Sequence, residues 1–312
     1  MSAPGTRHAV LFIFFNRADC AECSFAAIRA ARPARLYLAT DAPRPQVPDD
    51  EAKCRQTREL VERMVDWPCE VRRDFAGENL GATRRIESAL AWLFREEECA
   101  LVFEDDCVPD ATFFPFCDEL LERYAGEPKV GLISGCQFVP GGWAGPEAAS
   151  YSFARLTQIW GWASWRRAWA HHDPTMQNWP EARRTGLLKK IFPAYYPHRR
   201  YWRRRFDACH RGDLAVWDYR WTFGRWLHDQ VGIVPAQNLV SYIGFRDDAL
   251  HTRGPHPAAA LPTEAMTFPL KHPASLAADP RLDDATARIL FYEGGYFPWL
   301  EYQWKKNILS RP

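Results

Sequence analysis

The sequence predicts an α/β fold built on a mostly parallel sheet, and three observations predict it. Short apolar runs alternate with stretches of helical spacing through the first hundred residues, the pattern of strands joined by helical crossovers. Polar residues gather where those runs end, at Asn16-Arg17, at Asp41 and at Glu104-Asp105-Asp106. In an open parallel sheet ligands sit at the carboxyl ends of the strands, so residues at those ends share one crevice. Finally, Leu101-Val102-Phe103 runs straight into three consecutive carboxylates, which cannot stay buried and charged without a cation. Such a triplet is either a solvated turn or a strand tip that holds a divalent metal.

In chain order, His8–Phe15 reads as the first strand and Asp19–Ala31 as a helix. Arg35–Ala39 is a second strand, stopped by Ala42-Pro43-Arg44-Pro45. Asp50–Val65 is helical, Cys69–Asp74 a short strand, and Ile86–Glu97 an amphipathic helix feeding the Leu101 strand. A helix over Phe113–Tyr124 and a strand over Val130–Ser134 follow, then a Gly/Pro loop from Pro140 to Pro146. Trp160-Gly161-Trp162-Ala163-Ser164-Trp165 reads as a tryptophan-rich loop around one glycine. A helix from Trp217 to about Asp229 and a strand near Gly232–Val234 end the regular pattern, and Arg253–Pro262 reads as a linker.

The totals bound the answer. At 312 residues the chain makes one large domain or a domain with an appendage. Hydrophobic residues at 47% and fourteen tryptophans supply a core and exclude wholesale disorder. The net charge of +1 hides a basic stretch, with ten Lys or Arg between Arg183 and Arg211 against one acid, Asp207. Nine scattered cysteines form no framework and suit a reducing compartment. Cys20 and Cys23 form a CxxC with no second pair at zinc-finger spacing, so they read as packing residues. The first fifteen residues carry neither a secretory signal nor a membrane span, and the expectation is a cytoplasmic protein.

Several motifs resemble a group of bacterial GT-A nucleotide-diphosphosugar glycosyltransferases, the hemolytic-protein HlpA-like proteins. They are Phe15-Asn16-Arg17, Asn79-Leu80-Gly81, Glu104-Asp105-Asp106-Cys107-Val108-Pro109, Ile159 to Trp165, Trp217-Asp218-Tyr219, Asn238-Leu239-Val240, and Ile243-Gly244-Phe245 through His251-Thr252. Their order along residues 8 to 252 carries the resemblance. More remotely, the acid triplet, the Gly-Trp loop and the WDxxW run look like the inverting N-acetylglucosaminyltransferase that starts N-glycan branching. The resemblance implies a GT-A catalytic domain over 1–252 with a basic helical segment at 180–212. It leaves 253–312 as an extension packed on the domain or at a membrane surface.

The activity implied is an inverting hexosyl or N-acetylhexosaminyl transfer, dependent on Mn2+ or Mg2+, from a nucleotide-diphosphate sugar (a UDP-sugar by preference) to a hydroxyl of a surface glycan or glycolipid. Such cations take one or two carboxylate oxygens from protein and leave the rest of the shell to phosphate and water. By resemblance Asp106 is the metal ligand, His251 a second ligand, and Glu104 and Asp105 reach the ribose or metal-bound waters. Phe15, Asn16, Arg17 and Asp41 suit the nucleotide. Asn79 and Gly81 open a helix whose Arg84 or Arg85 offers a phosphate contact; relatives often carry a Lys just after this glycine, where this chain has Ala82-Thr83. Gly161 lets the backbone approach the donor sugar, with Trp160 and Trp162 as walls.

Inversion needs a base on the acceptor side, and Asp218 is the candidate because Trp217 and Trp221 flank it, to stack on a sugar and desolvate the acid. Asp218 also suits a helix cap.

The basic stretch from Arg183 to Arg211 reads as a lid, an acceptor subsite or a peripheral contact with the inner face of the cytoplasmic membrane. Two rivals remain. A sugar-nucleotide nucleotidyltransferase shares the crevice but starts with a Gly-rich phosphate loop, where this chain has Phe-Asn-Arg. A nucleic-acid or membrane binder would use the basic stretch alone.

Overall fold

The computed structural model describes residues 5–143, 149–193, 196–245 and 258–291. Its first part is β1 (Ala9–Phe14), α1 (Ala18–Ala31), β2 (Arg35–Thr40), α2 (Asp50–Met64), β3 (Glu70–Phe75), α3 (Ala82–Glu96), β4 (Cys99–Glu104), β5 (Cys107–Pro109) and α4 (Phe113–Arg123). Then come β6 (Val130–Ser134), β7 (Tyr151–Ala154), β8 (Trp162–Trp165), α5 (Arg166–Trp169), α6 (Trp179–Arg184), α7 (Leu187–Ile191) and α8 (Tyr196–Arg211). The last elements are α9 (Trp217–Leu227), β9 (Val231–Pro235), β10 (Val240–Tyr242) and α10 (Pro280–Leu290).

Eight strands form one sheet in the order β3-β2-β1-β4-β8-β6-β9-β7. β3, β2, β1 and β4 pair in parallel, as do β6 and β9, while β8 and β7 run against their neighbours. The fold is therefore α/β with a mostly parallel central sheet flanked by helices. The chain steps outward from β1 to β2 and β3, then returns through α3 to place β4 on the other side of β1. That reversal is a topological switch point, and it opens a crevice at the carboxyl ends of β1 and β4.

β1 reads AVLFIF because both of its faces are covered. Val10, Phe12 and Phe14 pack with Phe25 and Ile28 of α1, whereas Ala9, Leu11 and Ile13 pack with Leu90 and Leu93 of α3. A third core joins α6, α7, α8 and α9 through Trp179, Leu188, Trp202, Phe206, Phe223 and Trp226, and Ala287 of α10 reaches it. Among the described residues no helix is long and apolar enough to cross a membrane.

Two expectations change. The tryptophan-rich stretch is not all loop: Trp162–Trp165 is β8, inserted between β4 and β6 in mid-sheet. Its residues alternate faces, Trp162 toward the α3 side and Ala163 and Trp165 toward the other, a period of two hidden by the glycine before it. The short strands β5, β7 and β10 are not predicted, because three or four residues carry little periodicity, and neither is the eleven-residue α10.

Candidate active site

Four strand ends deliver side chains to the crevice. Phe15, Asn16 and Arg17 follow β1, Asp41 follows β2, Asn79 and Gly81 follow β3, and Glu104, Asp105 and Asp106 close β4; all line it, together with Arg44, Arg85 and Tyr242. Ten of the expected site residues therefore meet in one place.

The acid triplet is organised by Arg17. Its Nη2 donates to Asp105 and to Asp106 Oδ2, the latter at 2.8 Å. The Phe15 N–H donates to Asp105 Oδ2 at 3.3 Å, and Ser24 Oγ donates to the Asp105 carbonyl at 2.8 Å. Asp105 and Asp106 are 3% and 5% exposed, so their charges must be met within the protein. One guanidinium faces three carboxylates, and the excess shows in Glu104. Burial and the neighbouring charges of Asp106 and Asp105 raise its pKa well above the carboxylate range, and no side-chain hydrogen bond among the described residues opposes this. Burial also raises Asp105, against the pull of Arg17.

β5 and β10 form an antiparallel ribbon over this cluster, with Tyr242 opposite Cys107. The Ile243 N–H donates to the Asp106 carbonyl at 2.9 Å, so the chain at 242–244 is tied to the triplet. A Cβ on Gly244 would stand 2.3 Å from Asp106 Oδ2 and 2.5 Å from the Tyr242 ring. Only glycine fits there. Trp160 lies flat on Tyr242, ring centroids 4.1 Å apart, and so backs the crevice wall from behind.

The opposite wall is a turn held by Asp41. Its carboxylate accepts from the N–H groups of Ala42, Leu80 and Gly81 at 2.9 Å each, which fixes the entry to α3. Gly81 has φ +75° with open space where a side chain would go. Asn79 Nδ2 donates to the Ala42 carbonyl at 2.6 Å, and Asn16 Nδ2 to Asp50 Oδ1 at 2.5 Å. Asp50 is also gripped by Arg44, whose guanidinium lies over the Phe15 ring at 5.5 Å. The hydrogen bonds from Arg44 hold Asp50 down to about 2, a fixed negative charge behind Asn16. Between the two candidate arginines the structure discriminates. Arg84 is exposed and outside the crevice, while Arg85 is buried, lines it, donates to Asp74 at 2.8 Å and keeps an unpartnered buried Nε.

Trp162 and Gly161, expected at the donor sugar, and Trp217 and Trp221, expected at the acceptor, lie elsewhere. Trp162 is 1% exposed and packs against Trp217 and Trp221, in the core. Gly161 has φ +68°, and a Cβ there would strike the Val240 side chain at 2.8 Å, so it serves packing against β10. Trp217 and Trp221 point into the same core and present no face to an acceptor sugar. Between them in sequence, Asp218 is half-buried, and burial pushes its pKa up to about 6. Asp218 does not line the crevice, and its charge is the least of those raising Glu104. The helix cap is Val216, yet Asp218 Oδ1 accepts from the Tyr219 N–H at 2.8 Å and so serves the first turn of α9. His251 lies outside the described residues.

Arg44, Asp50, Tyr242 and Ser24 were not singled out from sequence. Arg44 sat in a Pro-rich break and Asp50 at a helix start, where each has an ordinary local explanation.

Among the described residues no three His, Cys, Asp or Glu side chains are arranged to enclose a metal. The donor set nevertheless fits a hard cation held by one or two oxygens: buried carboxylates in excess over one guanidinium, with Asp106 Oδ1 met, among the described residues, only by the Cys107 thiol at 3.7 Å.

No family model matches this sequence, and no curated protein matches it. Among solved structures the chain is similar to a mannosyltransferase, PcManGT from Pyrobaculum calidifontis in complex with GDP-Man and Mn2+ (13% identity, TM-score 0.33, 52% of this chain and 46% of that one). It is also similar to S. aureus TarS 1-349 (11%, TM-score 0.44, 75% of this chain and 59% of that one). A third is a cytidylyltransferase from Leptospira borgpetersenii serovar Hardjo-bovis (12%, TM-score 0.34, 57% of this chain and 68% of that one). This chain thus spans about half the length of the first and three fifths of the second.

Proposed function

We propose that the protein is a metal-dependent, inverting glycosyltransferase that moves a sugar from a nucleotide-diphosphate donor, a UDP-sugar by preference, to a hydroxyl of a glycan or glycolipid. The observation that carries this reading is the meeting of four strand ends on a cluster of three carboxylates that one guanidinium serves. Asp106, together with His251, would hold Mn2+ or Mg2+; a bound cation of this kind takes up charge on the departing diphosphate as a Lewis acid. Phe15 and Asn16 receive the nucleoside, the latter aimed by Asp50. Arg85, which lines the crevice at the mouth of α3, would carry the phosphate contact. Glu104 and Asp105 would reach the ribose or the waters of the cation's shell.

Asp218 takes the acceptor proton. As the O–H bond breaks, the acceptor oxygen attacks the anomeric carbon and the carbon–oxygen bond to diphosphate opens on the far face, which inverts configuration. The catalytic domain in this reading covers 1–252, with 253–312 as an extension, in a cytoplasmic protein. Its rival, a nucleotidyltransferase, is disfavoured by the Phe-Asn-Arg turn that stands where a Gly-rich phosphate loop would.

Thermal-shift screening of UDP-, GDP-, dTDP- and CMP-sugars with and without Mn2+ tests the donor. Stabilisation by one nucleotide class, greater with Mn2+, is expected. Asp106→Asn is expected to abolish Mn2+-dependent donor hydrolysis; wild-type hydrolysis with full metal dependence in that variant removes the metal assignment. No shift with any nucleotide sugar removes the reading.

A further inference from the structure

α6, α7 and α8 enclose a second pocket that shares no lining residue with the strand-end crevice. Its lining converges positive charge from three helices: Arg183 of α6, Lys189 of α7, and Arg199, Arg200 and Arg203 of α8. Positions 199, 200 and 203 fall on one side of a helix, at i, i+1 and i+4. One carboxylate answers them: Asp207 accepts from Arg183 Nη1 at 2.9 Å and from Trp179 Nε1 at 2.9 Å. Among the described residues Lys189, Arg199, Arg200 and Arg203 form no salt bridge, and Arg199 Nε is buried without a hydrogen-bond partner. The floor is apolar, from Trp179 and Leu188, with Tyr196 at the rim, 57% exposed.

We infer that this pocket is an anion site that binds a phosphate group, separate from the donor diphosphate, and that the group belongs to the acceptor. Several converging guanidiniums suit a phosphate oxygen set, and the apolar floor suits the group that carries it. The link to chemistry runs through α8. Opposite the arginines, Tyr201 shares a 2.9 Å hydroxyl hydrogen bond with Tyr219, the residue after Asp218, and Arg205 lies 5.8 Å from the Tyr219 ring. A ligand anchored on one side of α8 is thus registered against the helix start that carries Asp218. The acceptor role rests on the transfer reading above; phosphate binding does not.

The test uses the full-length protein and the variant Arg199→Gln/Arg203→Gln, titrated by calorimetry with inorganic phosphate and with pyrophosphate. In parallel it is floated with vesicles of phosphatidylglycerol in phosphatidylcholine and of phosphatidylcholine alone. Wild type is expected to bind at least one phosphate probe, with affinity falling as salt rises, and the double variant to bind about tenfold more weakly or worse. The binding of UDP with Mn2+ should be unchanged in the variant. Binding of the soluble ions alone assigns a soluble phosphate-bearing ligand. Retention on phosphatidylglycerol vesicles that the variant loses assigns a lipid headgroup; both keep the site. Equal binding by wild type and variant, or none by either, overturns it. If phosphate binds here while no nucleotide sugar is turned over, the transfer reading fails and the anion site stands.

Discussion

Arg17 Nη2 stands 2.8 Å from Asp106 Oδ2, so the carboxylate proposed to hold the metal is already paired with a cation of the chain's own. The same nitrogen reaches Asp105. A strand tip with three acids folds because this guanidinium meets part of their charge, and what it leaves unmet remains on Glu104.

Removing that guanidinium makes the first prediction. Arg17→Met should lose on the order of 3 kcal/mol of stability in urea unfolding, since it strands buried carboxylates without a partner. Mn2+ should then raise the Tm of the variant by more than it raises that of wild type, because the ion replaces a missing charge. Equal shifts in both proteins would mean that Arg17 and the metal do not share Asp106.

The two tryptophans around Gly161 should separate cleanly. Trp162→Ala opens a cavity among Trp217, Trp221 and Leu90 and should cost about 3–5 kcal/mol. Trp160→Ala removes the ring stacked on Tyr242 and should chiefly raise the donor KM. Denaturation curves and steady-state kinetics on both variants check this; a donor KM that moves with Trp162 and not with Trp160 would reverse the assignment.

The reaction should carry the signature of a desolvated base. Asp218 is raised to about 6 by burial, and only its ionised form accepts a proton, so transfer should rise with pH through about 6 and then level off. Asp218→Asn should lower kcat by about 100- to 10,000-fold, leave nucleotide binding intact and abolish that rise. A variant that binds no nucleotide while staying folded would give Asp218 a different task.

The parallel half of the sheet was legible because β1, β2 and β4 are largely apolar runs set between stretches of helical spacing, and the more polar edge strand β3 falls between two such stretches. The site was legible for the same reason: parallel topology sends every strand end to one edge, so Asn16, Asp41 and Asp106 could be placed together with no contact known. Tertiary packing hid the rest. Nothing local distinguishes Trp160, behind the crevice wall, from Trp162, in the core two residues later. Asp41, expected to accept from a base or ribose, lines the crevice, and its oxygens also hold the turn that carries Asn79 and Gly81, which no local pattern shows. Gly244 stood in a recognised motif whose physical reason, the closeness of Asp106, appears only when β10 crosses the triplet.

A last prediction concerns stability far from the crevice. His8 Nδ1 lies 2.8 Å from Asp118 Oδ1, which also receives the Thr6 hydroxyl, tying the start of the chain to α4. Burial alone would depress the imidazole, but the hydrogen bond to Asp118, with a smaller contribution from Cys99, outweighs it and raises the pKa from 6.5 to about 9. The folded state therefore binds this proton more tightly than the unfolded chain does. The stabilisation is complete below pH 6.5 and is lost as pH rises to about 9. Asp118, held below the carboxylate range despite its burial by hydrogen bonds from His8, Arg7 and Thr6, contributes with the opposite sign, and its share fades as the solution becomes acidic. Urea midpoints for wild type should fall between pH 6.5 and about 9, and those of His8→Ala should stay flatter across that window. Parallel curves for the two proteins would show that the imidazole is not charged in the fold.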